Sequence, residues 1–211
     1  MEIQVNPTRM ELNRLKGRLQ MAVRGHKLLK DKRDELMRRF LVLIRENKKL
    51  RETLEEQLSR SFANFLLASA VMSGETLEEA IMYPTATMAV GVETINIMSV
   101  HVPKITPVEQ EEEENNVTPY GFATTSGELD TSIATLATVL PELIHLAELE
   151  KSVYLLADEI DKTRRRVNAL EHVMIPELEE TIKYIRMKLD ENERGALVRL
   201  MKIKDIVRKE A

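Results

Sequence analysis

Leucine or alanine returns every seventh residue at Leu15, Ala22, Leu29, Leu36, Leu43 and Leu50. Leu12, Leu19, Phe40 and Leu54 fill the second apolar position of the same heptads. This 3–4 spacing keeps one narrow stripe facing a partner helix, which is the pattern of a coiled coil. At about 1.5 Å per residue, the segment from Thr8 to Arg60 predicts a rod of roughly 80 Å. Its start is well marked: Asn6-Pro7 bars helix upstream, Thr8 caps, and Glu11 three residues on completes a capping box. The stripe is expected to run on through Leu58, Phe62 and Leu66 and to stop at Ser73-Gly74. His26, Arg33 and Asn47 are polar seam members, which cost stability but fix register.

The C-terminal part has the same character. Leu146, Val153, Ile160, Val167 and Met174 form one seam row, and Leu149, Leu156 and Leu170 form the other, with Thr163 as its polar member. The alternation breaks at Leu170, Met174, Leu178 and Ile182, spaced four apart, and resumes at Ile185, Leu189, Asn192, Ala196 and Ile203. Such a stutter locally unwinds a supercoil. Pro176 sits within it, where a helix bends or loses hydrogen bonding.

Between the two helices the pattern changes. Glu75 to Met82 reads as a short helix ended by Tyr83-Pro84. The β-branched, alternating run from Met88 to Val102 reads as an extended strand, Glu111 to Asn116 as an acidic turn, and Val117 to Thr125, with Tyr120 and Phe122 on one face, as a returning strand. The expected fold is therefore mainly α: a long antiparallel two-helix coiled coil from the N- and C-terminal segments, with a small middle region containing a short helix and a β-hairpin. Its parts are 1–73, 74–127 and 128–211. With Thr8 near residue 207, Leu12 falls near Ile203 and Phe40 near Ile175, and both chain ends meet.

Composition narrows the function classes. Seven Gly, seven Pro, no Trp and no Cys across 211 residues fit long helices with few corners, and exclude disulfides, cysteine-ligated zinc and thiol catalysis. Met1 to Arg9 carries no apolar signal core, and no uninterrupted apolar stretch approaches the ~18–20 residues that span a bilayer. Charge is segregated: residues 9–60 hold sixteen Lys/Arg against eight Asp/Glu, whereas residues 61–140 hold eleven acids and Lys104 as the one base. Separate partner surfaces are expected from such blocks. No G-x-x-x-x-G-K-[S/T] loop occurs, and His26, His101, His145 and His172 lack metal-ligand spacing. Neither a catalytic site nor a cofactor or metal is expected.

The stretch from Asn6 to Leu12 and the stretch Gly25-His-Lys-Leu-Leu-Lys-Asp-Lys-Arg-Asp-Glu-Leu36 resemble the D subunit of the V/A-type rotary ATPases. So do Thr163-Arg-Arg-Arg-Val-Asn-Ala-Leu-Glu171, Ile175-Pro-Glu-Leu178, Arg199-Leu-Met-Lys-Ile-Lys204, and Ile97 to Pro103, which looks like that family's central strand. The resemblance spans nearly the whole chain in order. It implies a non-catalytic rotor shaft that transmits torque between ATP synthesis or hydrolysis in a catalytic hexamer and ion translocation through a membrane ring. It further implies as partners the catalytic and regulatory subunits of the hexamer, the small F subunit, and a funnel-shaped subunit linking to the ring. No nucleic acid and no direct membrane insertion enter that picture, and the shaft is peripheral, on the cytoplasmic side.

Residues 8–26 and 190–208 are expected to form the tip inside the hexamer, and the hairpin of residues 86–125 to face a partner. The interface candidates are Thr8, Arg9, Leu12, Gly25, His26, Arg164, Arg165, Arg166, Arg199 and Ile203. Gly25 permits close approach of a neighbouring chain or a simple bend, and the three consecutive arginines read as a docking surface. The competing functions are a basic coiled-coil arm on nucleic acid, which the interspersed acids and few aromatics disfavour, and a non-rotary scaffold. The shaft of F-type ATPases shares the two-helix plan, but its central domain alternates strands and helices where residues 75–125 here fit a hairpin and a short helix.

Overall fold

The computed structural model describes residues 5–82, 88–108, 120–121 and 125–210. Helix α1 runs Arg9–Val71, α2 Gly74–Ile81, strands β1 and β2 Ala89–Ile97 and Val100–Val108, and α3 Gly127–Ala169. A π-helical turn, Leu170–Met174, leads directly into α4, Ile175–Glu210. The mainly α reading with a central two-stranded antiparallel hairpin is what the chain adopts. Contacts divide it into two units, residues 1–35 with 160–211, and residues 36–159.

The local punctuation follows from side-chain chemistry. Thr8 Oγ1 accepts the Glu11 N–H at 3.2 Å, satisfying one of the free donors at the start of α1. Ser73 caps α2 in the same way, accepting from Thr76 N at 3.3 Å. Pro141 lies inside α3 without breaking it.

In the unit of residues 36–159, α1 and α3 pack antiparallel along buried Leu36, Leu54, Val139, Leu149 and Leu156. The expected continuation of the α1 stripe holds at Leu58, which is half-buried, and is wrong beyond it. Phe62 and Leu66 are 58% and 69% exposed, and the buried positions are Ser61 and Ala68, which keep the original heptad phase. Size explains the outcome. Ser61 Oγ donates to Ser132 O at 3.1 Å, and Ser132 Oγ donates to Ser61 O at 3.0 Å, so the helices approach closely through reciprocal hydrogen bonds. A Leu at that height has no room. Ser61→Leu is expected to destabilise the chain by about 1–3 kcal/mol from overpacking and the loss of both bonds. Urea melting checks this, and an unchanged midpoint would refute the close approach. At the end of this unit Ala68, Ala80 and Leu129 form a small core covered by Phe65, Met72, Leu77 and Ile133. Tyr120 joins it, and its hydroxyl donates to Asp130 Oδ1 at 2.6 Å. Burial and the adjacent carboxylate hold that phenol well above its ordinary pKa.

The hairpin differs from expectation. The extended run does not continue to Val102: it turns at Met98-Ser99, both with positive φ (52° and 72°), and β2 is the very next segment. Register runs from Ala89 opposite Val108 to Ile97 opposite Val100. Two consecutive left-handed residues match the right-handed twist of the strands, and Asn96 Oδ1 accepts the Ser99 N–H at 2.8 Å to hold the turn. Tyr120 and Gly121 are not strand. The Glu111–Asn116 turn, the Tyr83-Pro84 stop and Phe122 lie outside the described residues. An isolated two-stranded ribbon is marginal in water. Here β2 buries Val100 and Val102, and its Ile105 N–H donates to Glu148 Oε2 on α3 at 3.0 Å.

In the other unit α1 packs on the end of α3 and on α4, burying Leu15, Ile160, Thr163, Val167, Thr181 and Ile185. The helices are antiparallel, as Arg9 pairs with Glu193 and His26 with Glu171. The register predicted from sequence is therefore displaced by about two to two and a half heptads, since it set Arg9 near residue 206 and His26 near residue 189. A slip by whole heptads returns apolar residues to every seam position, so periodicity alone does not discriminate between such registers. Likewise Phe40, expected near Ile175, lines a groove with Val153, Tyr154 and Ala157.

One 18-residue window in the helical run Gly127–Arg208 reaches a mean hydropathy of 1.3. Length and composition alone would let it cross a bilayer, yet the same run supplies the seam residues that pack on α1.

Candidate functional site

Among the described residues no nucleophile, base and acid converge, and no group of three or more His, Asp or Glu is placed to hold a metal. What the fold offers is surface. Its most distinctive part is where the start of α1 pairs with α4 at Glu193, seventeen residues before α4 ends, so the chain ends do not meet as expected.

Thr8 caps α1, Arg9 begins it, and the Arg9 guanidinium reaches Glu193 on α4. Both partners are mostly exposed, so the pair marks register more than it stabilises. Leu12 is half-buried one turn on, and Leu15 is buried. Beyond Glu193 the character of α4 changes. Leu197, Val198, Leu200, Met201, Ile203, Ile206 and Val207 are each 54–63% exposed. Arg199 is also exposed. Seven large apolar side chains within eleven residues of one helix cover most of its circumference. Among the described residues they lack a covering surface, and contiguous apolar exposure of this kind marks an interaction site. The structure thus unites Thr8, Arg9 and Leu12 with Glu193. It leaves Arg199 and Ile203 on an unpaired extension, not beside Leu12.

Gly25 and His26 sit two heptads further along α1. His26 Nε2 lies 3.3 Å from Glu171 Oε2, a residue of the π-turn. A Cβ built on Gly25 meets nothing within 4 Å, so packing inside the chain does not require glycine there. Gly25→Ala is expected to raise stability by about 0.5–1 kcal/mol, the helix-propensity difference. Thermal melting of the purified chain measures it, and a lowered midpoint would show a constraint on the backbone that the geometry lacks.

Arg164, Arg165 and Arg166 point outward between the buried Thr163 and Val167. Arg165 bonds Asp161 one turn back at 2.7 Å. The three guanidinium groups form an exposed basic collar on α3, remote in sequence from the apolar extension of α4.

Two further surfaces lie outside the ten interface candidates, the first of them within the hairpin expected to face a partner. The outer side of the hairpin exposes Val90 and Val92. The i, i+2 spacing of Val90 and Val92 on a half-buried ribbon was the available signal. The second is an open groove lined by Phe40, Ile44, Val153, Tyr154 and Ala157, closed at one side by the 3.1 Å Arg51–Glu150 ion pair. Lys151 Nζ stands 5.4 Å from the centroid of the Tyr154 ring.

Comparison with known proteins gives a consistent result. The family of ATP synthase D subunits matches residues 11–205. The D subunit of the V-type ATP synthase of Acetivibrio thermocellus is 61% identical over 99% of this chain and 94% of its own length. That of Clostridium novyi is 58% identical over 99% of this chain and 97% of its own. That of Thermoanaerobacter pseudethanolicus is 58% identical over 98% of each.

Proposed function

Because the chain belongs to the ATP synthase D-subunit family, we propose that its paired helices carry torque between a catalytic hexamer and a membrane ion ring. It is a central-stalk subunit of a V-type ATP synthase, part of a membrane-associated complex, and not itself catalytic. The observation that carries the mechanical reading is the pairing of the start of α1 with α4 at Glu193, with an apolar helical extension of α4 beyond that pair. A shaft must seat its tip in a bearing that tolerates rotation. Apolar side chains suit that task, because the hydrophobic effect is non-directional and breaks no fixed hydrogen bonds as the contact turns.

In this reading residues 8–26 and 190–208 enter the hexamer formed by the catalytic and regulatory subunits. The basic excess of α1 and the Arg164–Arg166 collar meet acidic loops there. The outer valines of the hairpin and the groove beside Tyr154 serve the side-binding F subunit, and the funnel-shaped subunit takes the lower end, on the cytoplasmic side of the membrane. Shaft angle and nucleotide state bias one another reciprocally, since a coupling free energy acts in both directions.

A tagged copy of the chain, recovered from native membranes and analysed by mass spectrometry, tests the assignment. Co-recovery of the hexamer subunits and of the ring-linking subunit is the expected result. Recovery of nucleic acid or of unrelated proteins in their place would overturn it.

A further inference from the structure

Seam positions before the π-turn are Ile160, Thr163, Val167 and Leu170, and after it Ile175, Leu178, Ile182, Ile185 and Leu189, all buried or half-buried. Every step in this series is three or four residues except one: Leu170 to Ile175 is five. The chain therefore carries one residue more than its heptads need. The π-turn absorbs that residue, and Met174, which an uninterrupted α-helix would place in the seam, is 47% exposed. Without the turn, Glu177 and Lys188 would face α1 in place of Leu178 and Leu189.

The turn is also where the hydrogen-bond ladder is thinnest. Ile175 N–H bonds Leu170 O, five residues back, and Pro176 next to it has no N–H to give. The facing helix is softened at the same height. His26 touches Glu171 of the π-turn, and its neighbour Gly25 is a helix-weakening residue that no packing inside the chain explains. Two independent weak points lie opposite one another, joined by the His26–Glu171 contact.

We propose that the π-turn and Gly25 together form a torsional joint, a level at which both torque-bearing helices twist more readily than elsewhere. The proposal rests on the central-stalk reading and gives it a location: elastic strain collects here between power strokes, behind the tip. Alignment of the seam on either side survives twisting, because the extra residue is already accommodated outside it.

The test removes the joint without removing the seam. Deleting Val173 leaves Leu170 and Ile175 four apart and restores an unbroken 3–4 alternation. The purified variant should melt within about 2 °C of the parent or above it, as expected of a change that disturbs no packing. Deleting Lys183, in regular helix, turns Ile185 and Leu189 out of the seam and should melt far lower. In the assembled complex, with the hexamer stalled by a non-hydrolysable nucleotide, the angular variance of a probe on the shaft should fall roughly twofold in the Val173 deletion combined with Gly25→Ala, as both soft levels stiffen. Unchanged variance overturns the joint. So does a Val173 deletion that melts as low as the Lys183 deletion, and in that event Gly25→Ala alone still reports stiffness. If the parent chain itself neither assembles nor turns with the hexamer, the stalk reading fails. If the parent turns and the variants are as compliant as it is, only the joint fails.

Discussion

Removing residues 200–211 is expected to leave the folding of the chain intact while severely impairing the coupling of ATP turnover to ion pumping. The first half follows from exposure. Leu200, Met201, Ile203, Ile206 and Val207 are all more than half exposed, so packing among the described residues depends little on them. Changes at such positions usually stay within about 0.5 kcal/mol. The second half follows from what those side chains do if the tip is seated. Full burial of one large apolar side chain contributes about 1.5–3 kcal/mol. Even a fraction of that sum for five residues corresponds to a loss of tenfold or more in occupancy of the seated state, at about 1.4 kcal/mol per factor of ten. Melting of the isolated chain and ion pumping per ATP hydrolysed in reconstituted membranes are the two readings. A truncated chain that melts early places these residues in the fold, and one that couples normally removes them from the bearing.

The second large effect concerns phase along α4. Ile185 is 0% exposed, and Met187, two residues on, is 61% exposed. Ile185→Asp deletes a buried aliphatic side chain and puts a carboxylate in its place within the seam. The aliphatic loss alone costs about 2–5 kcal/mol, and the carboxylate adds a desolvation penalty of several more. Against a typical total stability of about 5–15 kcal/mol, the unit of residues 1–35 and 160–211 should unfold or nearly so. Met187→Asp should be close to neutral. Circular dichroism melts of the two variants compare them directly. Similar midpoints would mean that the seam does not follow the phase set by the π-turn, and both the packing described here and the register of α4 would need revision.

Much of the architecture was legible because coiled-coil patterning is written in spacing. The stripe from Leu12 to Leu54, the start at Thr8, the short α2 and the β-branched ribbon were all readable. The stutter at Leu170 was readable too, although periodicity does not reveal whether a helix absorbs it by unwinding over several turns or by one π-turn. The failures share a cause. Hydrophobicity selected Phe62 and Leu66 as the continuing seam, whereas the close Ser61–Ser132 contact demanded small residues. The hairpin turn lies at Met98-Ser99, a pair without the usual Asn-Gly chemistry, and depends on a side-chain bond from Asn96. A slip in register by whole heptads is invisible to any repeat of seven. Of the interface candidates, Arg9 and His26 proved to have cross-helix partners. The apolar extension past Glu193 emerged only once the register was known, because apolar residues in a helical period read as core until the partner helix ends.

The claim on which the mechanical account depends is that the start of α1 lies beside α4, with Arg9 level with Glu193. Spin labels at positions 9 and 193 of the assembled protein measure it. The account predicts a single short distance, the ~10 Å between packed helix axes plus the label arms. It also predicts a longer distance from position 9 to position 206, as thirteen further residues of helix add about 20 Å along the axis. A 9–206 distance shorter than the 9–193 distance, or positions 9 and 193 separated by many tens of ångströms, would contradict the pairing and with it the shaft.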